Sequence, residues 1–126
     1  MTIPIIVGRT AEAPAPAGPY SQSVRIGSLI MCSGQAGFLP DGTLANGIEE
    51  QTRQTFRNLL VTLAAAGGVP ERVGHVRVYL TDTAHFGILN DVYREFFSEP
   101  YPARTTVYVG LPAGLLVEAD LLAEAS

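Results

Sequence analysis

Lysine is absent from these 126 residues, and all eight basic side chains are arginines. The absence excludes catalysis through a lysine Schiff base and leaves no anchor for pyridoxal phosphate. Tryptophan is missing too, and Cys32 is the only cysteine, so no internal disulfide can close. A lone cysteine in an apolar stretch reads as a small core residue. His75 and His85 stand ten residues apart, with no His, Cys or carboxylate at ligand spacing, so no bound metal is expected. Charged residues make up only 16% of the chain, against 47% hydrophobic. That balance is short of the usual quarter of charged residues, and other subunits are expected to cover part of the apolar surface.

Acidic residues outnumber basic ones by twelve to eight, for a net charge of −4 and an isoelectric point near 5.0. A protein that neutralises phosphates needs the opposite balance, so nucleic acid is not expected as a partner. No apolar run approaches the length of a membrane span, and the N-terminus lacks the basic start and long apolar core of a signal peptide. A cytoplasmic protein without a membrane partner is the expectation. The length suits one domain, residues 1–126.

What the chain does contain is organised around Tyr101 to Ala123, YPARTTVYVGLPAGLLVEADLLA. Leu115 to Leu122 alternates as a strand, with Leu116, Glu118, Asp120 and Leu122 on one face, so two carboxylates point the same way. A carboxylate taken out of water either pairs with a cation or carries a raised pKa. Arg104, opening the apolar run to Val109, is the nearest cation in sequence. The intervening Gly110 to Gly114 predicts that the two strands meet as a hairpin or as close neighbours, with Arg104 and Glu118 flanking one pocket. Two readings stay open: a structural ion pair, or an arginine that grips a substrate carboxylate beside a glutamate that moves protons.

Ahead of this stretch, residues 1–17 read as an irregular N-terminal segment or loosely attached edge. Ser23 to Ile26 and Leu29 to Ser33 form a hairpin through Gly27 and Ser28. Gly34 and Gly37 bracket Gln35, where a bulge is the default. Asn46 caps a helix with Glu49 three residues on, and Ile48, Thr52, Phe56, Leu59, Leu60 and Leu63 recur at helical spacing until Gly67, Gly68 and Pro70. The opposite face carries a Glu49 to Arg53 pair. His75 to Leu80 is a half-buried strand, and Asp82 caps a second helix with a stripe of Phe86, Leu89, Tyr93, Phe96 and Phe97 read as core. The order is β-β-α-β-α-β-β, an α+β sandwich with two helices backing one sheet. Two helices cover only one sheet face, so the other is expected to meet further subunits in a closed oligomer.

Taken in order, GPYSQ at Gly18 to Gln22, SGQ at Ser33 to Gln35, QTRQTFRNL at Gln51 to Leu59, YPAR at Tyr101 to Arg104 and VEAD at Val117 to Asp120 resemble the Rid family, also called YjgF. Its founding members are reactive-intermediate (enamine/imine) deaminases. The resemblance runs from about Ala17 to Ala123. It implies a chorismate-mutase-like α+β fold and a homotrimer with active sites in the clefts between subunits. By motif, Arg104 would bind the substrate carboxylate, Glu118 would assist the water, and Tyr20, Ser33 and Asn90 would line the cleft. Thr106, counted with the substrate-binding set, stands where the deaminase branch typically has cysteine. The turn between Arg104 and Glu118 is one residue shorter than usual, and Asp120 replaces a commoner glutamate.

The reaction so implied is hydrolytic deamination of small 2-imino acids or enamines to 2-oxo acids and ammonia, with no cofactor. The ligand would be a small 2-imino or 2-oxo acid. The alternatives are a non-catalytic small-ligand or chaperone-like module of the same fold and, third, a ribonuclease or translation inhibitor.

Overall fold

The structure is a computed structural model that describes residues 2–126. Six strands form one sheet: β1 (Ile5–Gly8), β2 (Ser23–Ile26), β3 (Leu29–Ala36), β4 (Val73–Leu80), β5 (Ala103–Tyr108) and β6 (Val117–Glu124). Helix α1 (Gly47–Ala65) lies between β3 and β4, and α2 (Phe86–Phe96) between β4 and β5. The architecture is the expected α+β sandwich, with an added strand, β1, inside the N-terminal segment. Among the described residues, no helix is long and apolar enough to cross a membrane.

In space the strands run β1-β2-β3-β6-β4-β5. All neighbours are antiparallel except β4 and β5, which are parallel because α2 carries the chain back to the same end of the sheet. This order corrects the expectation that the strands bearing Arg104 and Glu118 adjoin. β4 lies between them, pairing with β5 on one side and β6 on the other. Gly110 to Gly114 therefore spans a strand rather than turning a hairpin.

The helix-facing side of the sheet is Ile30, Cys32, Val76, Val78, Leu80, Val117, Ala119 and Leu121, all buried. Above it, α1 contributes Phe56, Leu59 and Leu63, while Ile48 and Leu60 pack at the margin. Phe56 joins the two helices: its ring lies 5.5 Å from Tyr93, 5.7 Å from Phe96 and 5.9 Å from Phe97. On the outer surface Arg53 bonds Glu49 at 3.3 Å, as expected, and also Glu50 and Glu95, which ties α1 to α2.

The helix ends differ in how they meet expectation. Asn46 is the N-cap in an extended conformation, yet its side chain makes no capping bond, and Glu49 turns to Arg53 instead. At the C-terminus Gly67 takes φ +90°, its N–H donates to Ala64 O at 3.0 Å, and Gly68 N–H donates to Leu63 O at 3.0 Å. This Schellman arrangement needs a left-handed residue, which glycine supplies without steric cost. Asp82 accepts from Ala84 N at 2.8 Å and so caps the short 3₁₀ turn that leads into α2.

Buried amides on α1 fasten the loops around the sheet. Gln51 donates to Gly114 O at 3.0 Å and accepts from Leu116 N at 2.9 Å, while Asn58 donates to Ala36 O and Phe38 O. These bonds fix the approach to β6 and the exit from β3. The packing yields a test: Phe56→Ala should lower unfolding free energy by about 3–5 kcal/mol, read from urea melts, because the cavity opens between both helices and the sheet. A loss under 1 kcal/mol would mean that α1 and α2 are not joined through this ring.

Candidate active site

Arg104 shares the register of Val76, and Thr106 that of Val78, so both face the helices. The Arg104 guanidinium donates through Nη2 to Asn90 Oδ1 at 2.7 Å. Its central carbon lies 4.8 Å from the Tyr93 ring centre and 5.6 Å from that of Phe86. Phe86, Asn90 and Tyr93 occupy one face of α2 at i, i+4 and i+7, so this helix seats the cation by one amide and two aromatic rings. Among the described residues, no carboxylate lies in ion-pair range of Arg104. Burial pushes the Tyr93 phenol up to about 12, against the opposing pull of Arg104, so the ring beneath the cation is neutral. Asn90, Tyr93, Tyr101 and Arg104 line an open cavity of about 400 Å³.

Glu118 lies on the other face of the sheet, in register with Tyr79 and Ala36. The β3 bulge falls between Cys32 and Gln35, and a Cβ placed on Gly34 would sit 2.6 Å from Glu118 Oε1. Glycine at this position leaves the carboxylate its place. Burial raises the Glu118 pKa, and the neighbouring charge of Asp120 raises it further. Glu118 makes no ion pair among the described residues, whereas Asp120 accepts from Arg77 Nε at 2.6 Å and from Tyr79 OH at 3.0 Å. Tyr20, Gly34 and Glu118 line a cavity of about 310 Å³, walled by Pro14, Ala15 and Leu115.

The structure thus brings the expected residues together in two groups, Arg104 with Asn90 and Glu118 with Tyr20. Within one protomer the groups occupy opposite faces, so Arg104 and Glu118 neither form the ion pair nor flank one pocket. The two carboxylates do share a face, but Asp120 has the cation. Ser33 donates its hydroxyl to Ser21 O at 2.5 Å and lines neither cavity. The Thr106 hydroxyl is buried without a hydrogen-bond partner and also lines neither. The Tyr20 hydroxyl accepts from Ala17 N at 3.0 Å, and the residue is 48% exposed.

Of the expected core stripe, Tyr93 is buried but Phe86 is 42% exposed, and both rings lie against Arg104 on either side of Asn90 in sequence. Cys32 is inert by comparison: burial pushes its thiol up to about 11, Asp120 adds to the rise, and Thr62 opposes it. Among the described residues, no group of three His, Cys, Asp or Glu side chains is placed to hold a metal ion.

Residues 10–125 match the family described as Endoribonuclease L-PSP. The chain is 48% identical over 94 residues to the protein mmf2, mitochondrial, of Schizosaccharomyces pombe, covering 74% of each. It is 37% identical over 114 residues to the 2-iminobutanoate/2-iminopropanoate deaminase of Dermatophagoides farinae, covering 88% of this chain and 89% of that one. In structure it is similar to RidA from an Antarctic Psychrobacter, with a TM-score of 0.91, 40% identity and coverage of 94% and 98%.

The separation of Glu118 from any cation has a consequence for stability. Because burial raises its folded pKa, the native state holds the proton more tightly than the unfolded chain, and stability falls as pH rises through the interval between the two values. Glu118→Gln should therefore melt at or above the temperature of the unaltered protein at pH 7. The difference should vanish below the ordinary glutamate pKa of about 4.3. A structural ion pair would give the reverse, a lower melting temperature at pH 7.

Proposed function

Because the chain belongs to the Endoribonuclease L-PSP family, which includes the Rid (YjgF) proteins, we propose that it hydrolyses small 2-imino acids or their enamine tautomers to 2-oxo acids and ammonia. The sites would be clefts between subunits of a homotrimer. The observation that carries this proposal is an arginine and a carboxylate, each without its counter-charge, on opposite faces of one sheet. Exposed apolar residues on the face opposite the helices support the assembly: Ile5, Ile26, Leu29, Val107 and Leu122 are each more than a third exposed. Stacking that face on a neighbour would let Glu118 of one protomer meet Arg104 of the next.

In such a cleft Arg104, with Nη2 held by Asn90 and no bond from Nε or Nη1 among the described residues, would hold the substrate carboxylate through its planar fork. Water adds to the imine carbon, the C=N electron pair moves to nitrogen, and nitrogen takes a proton. The resulting tetrahedral carbinolamine passes its hydroxyl proton to nitrogen, and the C–N bond breaks to release ammonia as the carbonyl forms. Glu118 would take the proton from water and return it to the leaving nitrogen, and its raised pKa brings it closer to the working pH. None of these steps uses a cofactor.

The ribonuclease reading that the family description carries has less support. The net charge is −4, and four of the eight arginines, Arg53, Arg72, Arg77 and Arg94, are paired with carboxylates.

A pyridoxal dehydratase supplied with its amino acid should release 2-oxo acid faster in the presence of this protein, and semicarbazide trapping of the intermediate should fall. Arg104→Ala should keep the scattering mass of three chains yet lose about 100-fold or more in rate. Arg104→Lys should restore little, because a point charge does not replace the fork. Full turnover in a folded Arg104→Ala protein would sink the mechanism. No acceleration by the unaltered protein with several amino acids would favour ligand binding or a chaperone-like role without turnover.

A further inference from the structure

The N-terminal segment is not loosely attached. After β1 the chain crosses back toward β2 as a strap, and the side chain of Gln22, only 4% exposed, clasps it. Gln22 Oε1 accepts from Thr10 N at 2.8 Å, while Nε2 donates to Thr10 O at 3.1 Å and to Pro14 O at 2.8 Å. Both ends of the amide are matched, so the clasp reads the strap backbone in one orientation only. Gln22 is itself held, since its carbonyl accepts from Ser33 N at 3.0 Å beside the Ser33 to Ser21 bond. Ala13, 3% exposed, anchors the strap between the two clasped residues.

What the clasp holds in place is the wall of the Glu118 cavity. Pro14, Ala15, Ala17 and Tyr20 line that cavity together with Gln22 itself, Gly34 and Glu118. We propose that Gln22 is a positioning residue for this site: by clasping residues 10–17 it keeps an apolar wall beside Glu118 and so limits the water that reaches this half-buried carboxyl. The strap brings only alanine and proline there, so it acts by excluding water rather than by adding charge. The titratable and charged groups around Glu118 are Asp120 on its own strand, Tyr79 and Arg77 on β4, and Tyr20 at the cavity rim. Asp120, Tyr79 and Arg77 belong to the sheet rather than to the strap. Burial is the largest cause of the raised Glu118 pKa, and the strap supplies one wall of the cavity in which Glu118 sits.

The catalytic part of this inference rests on the imine hydrolysis proposed above, whereas the clasp and the carboxyl hydration do not. Gln22→Met keeps the length and removes all three bonds without adding charge. Hydrogen exchange at Thr10 and its neighbours should rise by about tenfold or more. The Glu118 carboxyl, followed by carbon-13 NMR, should titrate at lower pH than in the unaltered protein. Turnover of imino acid should fall between about 10- and 100-fold in kcat with little change in KM, because Arg104 still holds the substrate. A strap that merely packs would change exchange and melting temperature but leave the Glu118 titration where it was. An unchanged titration in a protein whose strap exchanges freely overturns the proposal, and so does a strap whose exchange does not rise. If Gln22→Met fails to fold, Gln22→Asn, which shortens the reach by one carbon, is read by the same three measurements. If the unaltered protein turns over no imino acid, the proposed function fails, and the clasp is judged on exchange and titration alone.

Discussion

The placement of β4 between β5 and β6 is the constraint on which the site depends. Parallel pairing sets Arg104 in register with Val76, and antiparallel pairing sets Glu118 in register with Tyr79. Three positions separate those β4 residues, and an odd separation along a strand means opposite faces. The cation is thereby held against α2 and the carboxylate against the open face, and within one chain neither can neutralise the other. A single chain thus carries an arginine and a carboxylate on opposite faces of the sheet, each without a counter-charge.

The rest of the fold keeps each half in place. Phe56 locks α1 to α2, and α2 in turn offers Asn90 between Phe86 and Tyr93, so the packing of the core fixes the direction of the Arg104 fork. On the other face, Gln51 fastens the loop before β6, the β3 bulge brings Gly34 close to Glu118, and the clasped strap closes the wall. Arg77 and Tyr79 satisfy Asp120, so the open face pairs one carboxylate and leaves the other to its pocket.

Hydrophobic periodicity made the elements legible: both helices, the β2–β3 hairpin and the alternation of β6 are where the pattern of apolar residues places them. The resemblance pointed to Arg104, Glu118, Asn90, Tyr20, Ser33 and Thr106; the first four line one or the other cavity, and Ser33 and Thr106 line neither. Pairing of non-adjacent strands was not legible, because alternation says which residues share a face and nothing about which strand lies alongside. The hairpin expected between β5 and β6 failed for that reason, and the supposed ion pair failed with it. Backbone contacts were equally hidden. Gln22 and Gln51 work through carbonyls and amides of distant segments, and no side-chain pattern announces such partners. Asn46, by contrast, satisfied the sequence rule for a capping box, yet its side chain forms no capping bond and the Glu49 side chain pairs with Arg53.

The central claim is that one site is built from Arg104 of one protomer and Glu118 of its neighbour. Co-assembly tests it most directly. Arg104→Ala and Glu118→Gln chains, each inactive alone, are unfolded together, refolded as a mixture and assayed for imine hydrolysis. Random assortment in a closed ring would place an intact Arg104 opposite an intact Glu118 in about a quarter of the clefts. Recovery of about that fraction of the unaltered activity is the expected result. A mixture as inactive as its two components would contradict a shared site.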